Sequence, residues 1–188
     1  MTKVILKNDN NQVFNFIANP ILHGFSACDI TMFTQTKIMK EKTPSQSETI
    51  MTQVVYPNDT NPMGMLQGGK LVQWMDTASA VCAQTHAERI AVTVLLDKVF
   101  FKNPAKLGDI ITIKAKITRA FSSSMEILVR AWSRKVISQE TYLINEAYFT
   151  FVALDDNAKP VSIPKVKPTT AEEKAHYKQA LIRKEKRS

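Results

Sequence analysis

Glycine is scarce in this chain: there are five in 188 residues, and three of them fall between Asn61 and Gly69. A sequence that uses its most permissive residue so sparingly elsewhere marks that stretch as one where the backbone has special needs. Cysteine is scarcer still. Cys28 and Cys82 cannot build the multi-bridge framework of a small secreted domain and have no metal-ligand spacing, so both are expected to be buried thiols. The three histidines, His23, His86 and His176, suggest no Ser-His-acid or Cys-His arrangement, and no His/Asp/Glu cluster suggests a metal. Each is expected at the surface or at a helix end. No run approaches the roughly 20 consecutive apolar residues of a membrane span, and the N-terminus lacks a compact apolar run with a small-residue cleavage site. A cytoplasmic chain without membrane contact is therefore expected.

What is present is an ordinary globular balance, 44% hydrophobic and 22% charged, enough for one sizeable core. The net charge of +8 is unevenly placed. Residues 1–47 hold five bases against three acids, residues 48–158 eleven against eleven, and residues 159–188 nine against three. A nucleic-acid reader carries its positive charge on the folded surface that meets phosphate. Here the central region is neutral and the excess sits in a C-terminal tail, so no nucleic-acid partner is expected.

Periodicity divides the chain into three parts. Residues 1–47 combine scattered apolar residues, Asn-rich stretches and Pro20 without a sustained period, and read as an N-terminal extension. Residues 48–158 read as one domain. It opens with a strand from Glu48 to Tyr56, closed by the Pro57-Asn58-Asp59 turn signal. After a polar loop, Gly68-Gly69 opens a long helix to Ala87, because Leu71, Trp74, Met75, Ala78, Val81 and Cys82 recur at threes and fours. Four β-rich runs follow, at 90–101, 109–121, 124–136 and 141–154. Residues 159–188 form a basic tail with a helix, whose Thr170 cap, Glu172 and Glu173 in the first turn and terminal bases suit its dipole. One long helix wrapped by a curved antiparallel sheet of about five strands, plus a C-terminal helix, is an α+β architecture of the hotdog type.

Two features within this frame can carry chemistry. Gly68 and Gly69 at a helix start leave backbone N–H groups uncovered, a site for an oxyanion or a polarised carbonyl, or they merely let the helix pack closely on a strand. Asp76 lies about two turns inside the helix, beyond the reach of the N-terminal dipole. It is either exposed on a helix face or held partly buried, where it can act as a general base. Trp74 and Met75 read as core.

The order Asn61-(x)2-Gly64-(x)3-Gly68-Gly69-(x)6-Asp76, then Val92-Thr93, then Thr118-Arg119-Ala120-Phe121-Ser122-Ser123-Ser124-Met125-Glu126, resembles the cytosolic acyl-CoA thioester hydrolases over about residues 48–187. The resemblance implies that Asn61 and Asp76 are the catalytic pair, contributed by different subunits across an interface. It implies coenzyme A contacts at Val94, Leu95 and Leu96, at Ser123, Ser124 and Met125, and from a basic residue of the C-terminal helix, Lys184; from the charge of the tail, Arg183 and Lys184 together are expected to meet the coenzyme A phosphates. It also implies that this single hotdog unit works as a homodimer, with a trimer of such dimers as the larger assembly, and that no cofactor is needed. There are departures: position 67 is Gln where many members have Phe or a small residue, and Val94-Leu95-Leu96 stands where many read Ala-Ser-Val. Both imply a bulkier wall and a reshaped acyl tunnel.

Two other functions are compatible with this fold. A hotdog hydratase or dehydratase places a catalytic His near the helix or its preceding loop, and none lies between Thr52 and Thr85. A non-catalytic acyl-CoA sensor keeps the coenzyme contacts but loses the carboxylate or carries a DNA-binding unit; Asp76 is present, and residues 1–47 show no helix-turn-helix pattern.

Overall fold

The computed structural model describes residues 2–7, 13–18 and 41–186. The chain divides into two compact units, Met1–Ile38 and Met39–Ser188. His23 and Cys28 lie outside the described residues.

In the first unit, β1 (Thr2–Lys7) pairs antiparallel with β2 (Val13–Ala18), with Val4 opposite Phe16 and Leu6 opposite Phe14. This hairpin falls in a stretch where the sequence shows no sustained period. Each strand is six residues long, too short for alternation to rise above the surrounding polar residues.

The second unit holds β3 (Thr49–Val54), α1 (Gly68–Ala87), β4 (Ile90–Phe101), β5 (Ile110–Ala120), β6 (Ser124–Arg134), β7 (Thr141–Leu154) and α2 (Ala171–Glu185). The five strands form one curled antiparallel sheet in the order β3-β5-β6-β7-β4, the architecture expected of a hotdog domain. Element ends differ from the sequence expectation by one or two residues, because Gly, Pro and Ser mark turns more sharply than they mark the last ladder bond.

On the inner face Ile111, Ile113, Ala115 and Ile117 alternate along β5 and meet Leu71, Trp74, Met75, Ala78 and Cys82 of α1, all buried. Ala115, Ala131, Ala147 and Ala153 are also buried in this core and leave room for a 20-residue helix to sit close to the sheet. Met125 to Val129 are buried without alternation: α1 packs on the inner face of β6, while α2 lies over the neighbouring β5 and reaches across to β6 through Arg183 on Glu126. Lys42, in the stretch preceding β3, closes the other end of α1: its Nζ donates to the Thr85 and His86 carbonyls at 3.0 and 2.9 Å. A cation there also suits the negative end of the helix dipole.

Two irregularities interrupt β4 against β7, one between Thr93 and Leu95 and one between Asp97 and Phe100. Bulges of this kind bend an edge strand and re-aim its side chains. β4 is an outer strand of the sheet and exposes Ile90, Val92, Val94, Leu95, Phe100 and Phe101.

Candidate active site

The loop before α1 is built around Asn61. Its Oδ1 accepts the Met63 and Met65 amides at 3.0 and 3.1 Å, while its own N–H donates to the Met65 carbonyl at 2.8 Å. Gly64, at φ 72°, turns the chain where a side chain would be strained. Because the carboxamide oxygen is committed to the loop, the Nδ2 donor is the group Asn61 can offer to a ligand.

At the start of α1 the N-cap Gln67 makes no side-chain capping bond; its Nε2 donates instead to the Thr60 carbonyl at 2.8 Å. The first-turn amides, which have no partner within the helix, are therefore left uncapped by it. A Cβ at Gly69 would meet nothing within 4 Å, whereas one at Gly68 would come within 3.0 Å of the Phe101 ring. Asn61, Gly68, Leu71, Phe101, Ala105 and Ile144 line a hollow of about 340 Å³.

Asp76 does not line that hollow. It is half-buried on α1, and its Oδ1 accepts the Thr93 hydroxyl at 2.7 Å. Thr93 carries no role in the sequence reading beyond its place in the family pattern. Its contact with Asp76 crosses 17 residues, a separation at which helical and strand periodicities give no signal. Eight residues of helix, about 12 Å along its axis, separate Gly68 from Asp76. Within one chain Asn61 thus lies in the loop that lines the hollow at the start of α1, and Asp76 about two turns along that helix.

The two stretches implied as coenzyme contacts lie at one level of the sheet. Phe151 of β7 is paired with Met125 on one side and Thr93 on the other, so the Ser123–Ser124 turn and the Val94–Leu96 stretch flank it. Val94 and Leu95 are exposed and Leu96 is half-buried, whereas Met125 is fully buried and can offer a ligand only its backbone. From α2, the Lys184 ammonium lies 4.1 Å over the Phe121 ring, next to the Ser-rich turn. Arg183 is held differently: it bonds both oxygens of the buried Glu126 and stacks 3.9 Å over Tyr148. Burial disfavours its charge, but Glu126 outweighs that and raises its pKa.

The remaining candidates serve the structure. His86 is buried at the end of α1 with Nε2 2.8 Å from the Pro164 carbonyl. Burial pushes the Cys82 thiol up to about 12, against smaller opposing contributions from Ser47 and the Ile117 backbone. Among the described residues no His/Cys/Asp/Glu group could hold a metal, and no helix is long and apolar enough to cross a membrane.

Residues 63–138 match a family profile described as the thioesterase superfamily. A Bacillus subtilis protein described as an uncharacterized acyl-CoA thioester hydrolase is 35% identical over 81% of this chain and 86% of its own length. Mouse acyl-coenzyme A thioesterase 11 is 36% identical over 75% of this chain, which spans only 24% of that longer protein. Among solved structures, an apo-hexameric acyl-CoA thioesterase is 38% identical with a TM-score of 0.77, covering 79% of this chain and 95% of the other. The acyl-CoA hydrolase of Staphylococcus aureus, in complex with butyryl coenzyme A, coenzyme A and coenzyme A disulfide, is 37% identical with a TM-score of 0.73, covering 78% and 90%. That hydrolase has also been solved as single alanine mutants of an asparagine, an aspartate and a threonine.

Proposed function

The chain belongs to the acyl-CoA thioester hydrolases of the thioesterase superfamily, and on that premise we propose that Asn61 of one subunit and Asp76 of another form its catalytic pair. The activity is hydrolysis of an acyl-CoA thioester to the free acid and coenzyme A. The observation that carries the site assignment is the 2.7 Å hydrogen bond from Thr93 to Asp76. The mutated asparagine, aspartate and threonine of the Staphylococcus aureus hydrolase follow one another at the same sequence intervals as Asn61, Asp76 and Thr93.

In this reading Asp76 is the general base for water, and Thr93 holds its carboxylate in one rotamer. Asn61, with its oxygen committed to the loop, donates through Nδ2 to the water or to the carbonyl oxygen. The uncapped Gly68 and Gly69 amides receive the charge that develops on that oxygen as water attacks. Collapse of the tetrahedral intermediate then expels the coenzyme A thiolate. Val94, Leu95, Leu96, Ser123, Ser124 and the Met125 backbone receive coenzyme A, with Lys184 toward its phosphates and Arg183 fixing the helix that carries Lys184.

A shared site needs a second copy, and β4 is the edge on which one fits. It ends the sheet, it is 12 residues long, and Ile90, Val92 and Val94 are 67%, 41% and 55% exposed. A long apolar edge of this kind is a template for strand pairing. Pairing β4 with its symmetric copy brings a second Asn61 loop toward Asp76 and Thr93, giving a homodimer as the minimal active unit. A trimer of such dimers, in the cytoplasm, is the assembly we assign. The direct test of the activity is release of coenzyme A thiol from a series of acyl-CoA esters by purified protein. Turnover of none of them refutes the enzyme.

A further inference from the structure

β7 carries an unmatched residue at Ile144, since Asn145 pairs with Ala131 and Leu143 with the next residue of β6, Trp132. Regular alternation buries one of two neighbours; here Ile144 is 1% and Asn145 0% exposed. The bulge therefore turns both inward. Ile144 lines the hollow that holds Asn61, Gly68 and Phe101. Asn145 lies beside it, paired through its Cα with Phe101, and opposed residues of an antiparallel pair project to the same face. That face is the one bearing the helix, because the Phe101 ring reaches Gly68. The Asn145 side chain thus stands on the same helix-bearing face as Phe101, one residue beyond Ile144 of the hollow's wall and outside its present lining.

Among the described residues neither Nδ2 nor Oδ1 of Asn145 has a hydrogen-bond partner. Its neighbours Ala131, Ile144 and Ala147 are buried and apolar, so packing alone favours an aliphatic residue at this position. A buried donor and acceptor, both unpaired, are accounted for by a ligand group that reaches them.

We propose that Asn145 is a specificity-determining residue for the acyl group, selecting chains that carry a hydroxyl or keto oxygen over plain hydrocarbon chains of equal length. The proposal rests on the thioesterase reading of the hollow. Leu66, Leu71, Phe101, Pro104 and Ala105 supply apolar walls for the intervening methylenes. A hydroxyl satisfies the amide twice, donating to Oδ1 and accepting from Nδ2. A keto oxygen satisfies Nδ2 alone, and a methylene satisfies neither, so the order of preference is hydroxyacyl, ketoacyl, then plain acyl. Phe101, 57% exposed, is the ring that turns aside to admit the chain end.

The test uses uncleavable S-alkyl-CoA thioethers in matched pairs, with and without a hydroxyl at successive carbons, titrated calorimetrically into wild type, Asn145→Leu and Asn145→Ala. At one hydroxyl position wild type should bind the hydroxylated member about tenfold or more tightly, the scale of one satisfied hydrogen bond in a closed site. Asn145→Leu should lose that preference and bind the plain chain at least as well as wild type does, with a melting temperature no lower than wild type. Asn145→Ala serves where leucine overpacks. The proposal is overturned if no hydroxyl position is preferred, if the preference survives in the variants, or if folded variants lose all thioethers equally. Because thioether binding needs no turnover, a protein that hydrolyses no acyl-CoA sinks the enzymatic reading and leaves this readout intact.

Discussion

Arg183 donates to both carboxylate oxygens of Glu126, Nη2 to Oε1 at 2.7 Å and Nε to Oε2 at 3.0 Å, and Glu126 is only 2% exposed. Thr118 adds a third bond to Oε1 at 2.7 Å. The pair pins α2 to β6, so Arg183 is engaged within the fold, and the proposal leaves the phosphates to its neighbour Lys184. Removing one partner of a buried pair strands the other charge, so Arg183→Ala should cost about 3–5 kcal/mol in chemical denaturation. Lys184→Ala should change stability by no more than about 0.5 kcal/mol. It should raise KM for acyl-CoA at low ionic strength with kcat little altered, and the effect should shrink as salt screens the phosphates. A normally stable Arg183→Ala with a raised KM would reverse these assignments.

The Thr93–Asp76 bond makes a second, graded prediction. Asp76→Asn removes the base and should lower kcat by about 10²–10⁴-fold with KM little changed. Thr93→Val keeps the side-chain shape but removes the hydroxyl. A bond to a charged group is worth about 1.5–3 kcal/mol, so kcat should fall by roughly 10- to 100-fold. Thr93→Ser should recover most of it. A fully active Thr93→Val would show that Asp76 needs no such support.

Acid should weaken the fold in two separate windows. Burial lowers the His86 pKa from its ordinary 6.5, nearby Lys42 adds to this, and the Pro164 carbonyl opposes it. Below pH 6.5 the unfolded chain binds a proton that folded His86 resists, so stability falls as pH falls. Burial pushes the Glu173 carboxyl up, but the Lys116 ammonium and the Thr169 and Thr170 amides outweigh it and hold it at about 2 rather than 4.5. Its contribution is present above pH 4.5 and is lost on the way to about 2. Melting temperatures should therefore decline below pH 6.5 and again below 4.5. Glu173→Gln should shrink the second decline, to which the lowered Glu172 and Glu140 carboxyls also contribute, and leave the first unchanged.

Cys82, buried in the core with its thiol held up at about 12, should be inert in the folded protein. In a Cys28→Ser background, a thiol reagent should label it no faster than the protein unfolds. Rapid labelling under native conditions would mean that α1 opens locally.

How much of this was readable from the sequence depends on whether a feature is local. The strands β4 and β7 begin and end where the β-branched and aromatic runs do, and α1 follows its three-and-four spacing from Gly68. Gly68 and Gly69 stand out because glycine is rare and clustered there, whereas Asn61 stands out only through the family pattern. Thr93 meets Asp76 only because β4 folds back along α1, and one threonine among many carries no such mark. Arg183 looked like the lysines around it, since its task depends on Glu126 being covered by α2. Asn145 carries no signal in the sequence, and only the packed structure shows that its amide meets no hydrogen-bond partner among the described residues.

The shared site admits a test by mixing. Asn61 lines a hollow with Gly68 and Phe101, whereas Asp76 faces Thr93 about 12 Å along the helix axis from Gly68, which is the ground for the proposal that different subunits supply them. Asn61→Ala and Asp76→Ala homo-oligomers should each be nearly inactive, since every site in either lacks one member of the pair. Unfolding the two together and refolding them gives mixed dimers in about half the cases under random isologous pairing. Each mixed dimer has one site with both mutations and one site with neither. Recovery should therefore approach roughly a quarter of wild-type turnover, with wild-type KM, because the intact site is unaltered. If mass spectrometry proves the oligomers mixed and turnover stays at the level of the parents, both residues act within one subunit, and the β4 edge loses its assigned part in assembling the site.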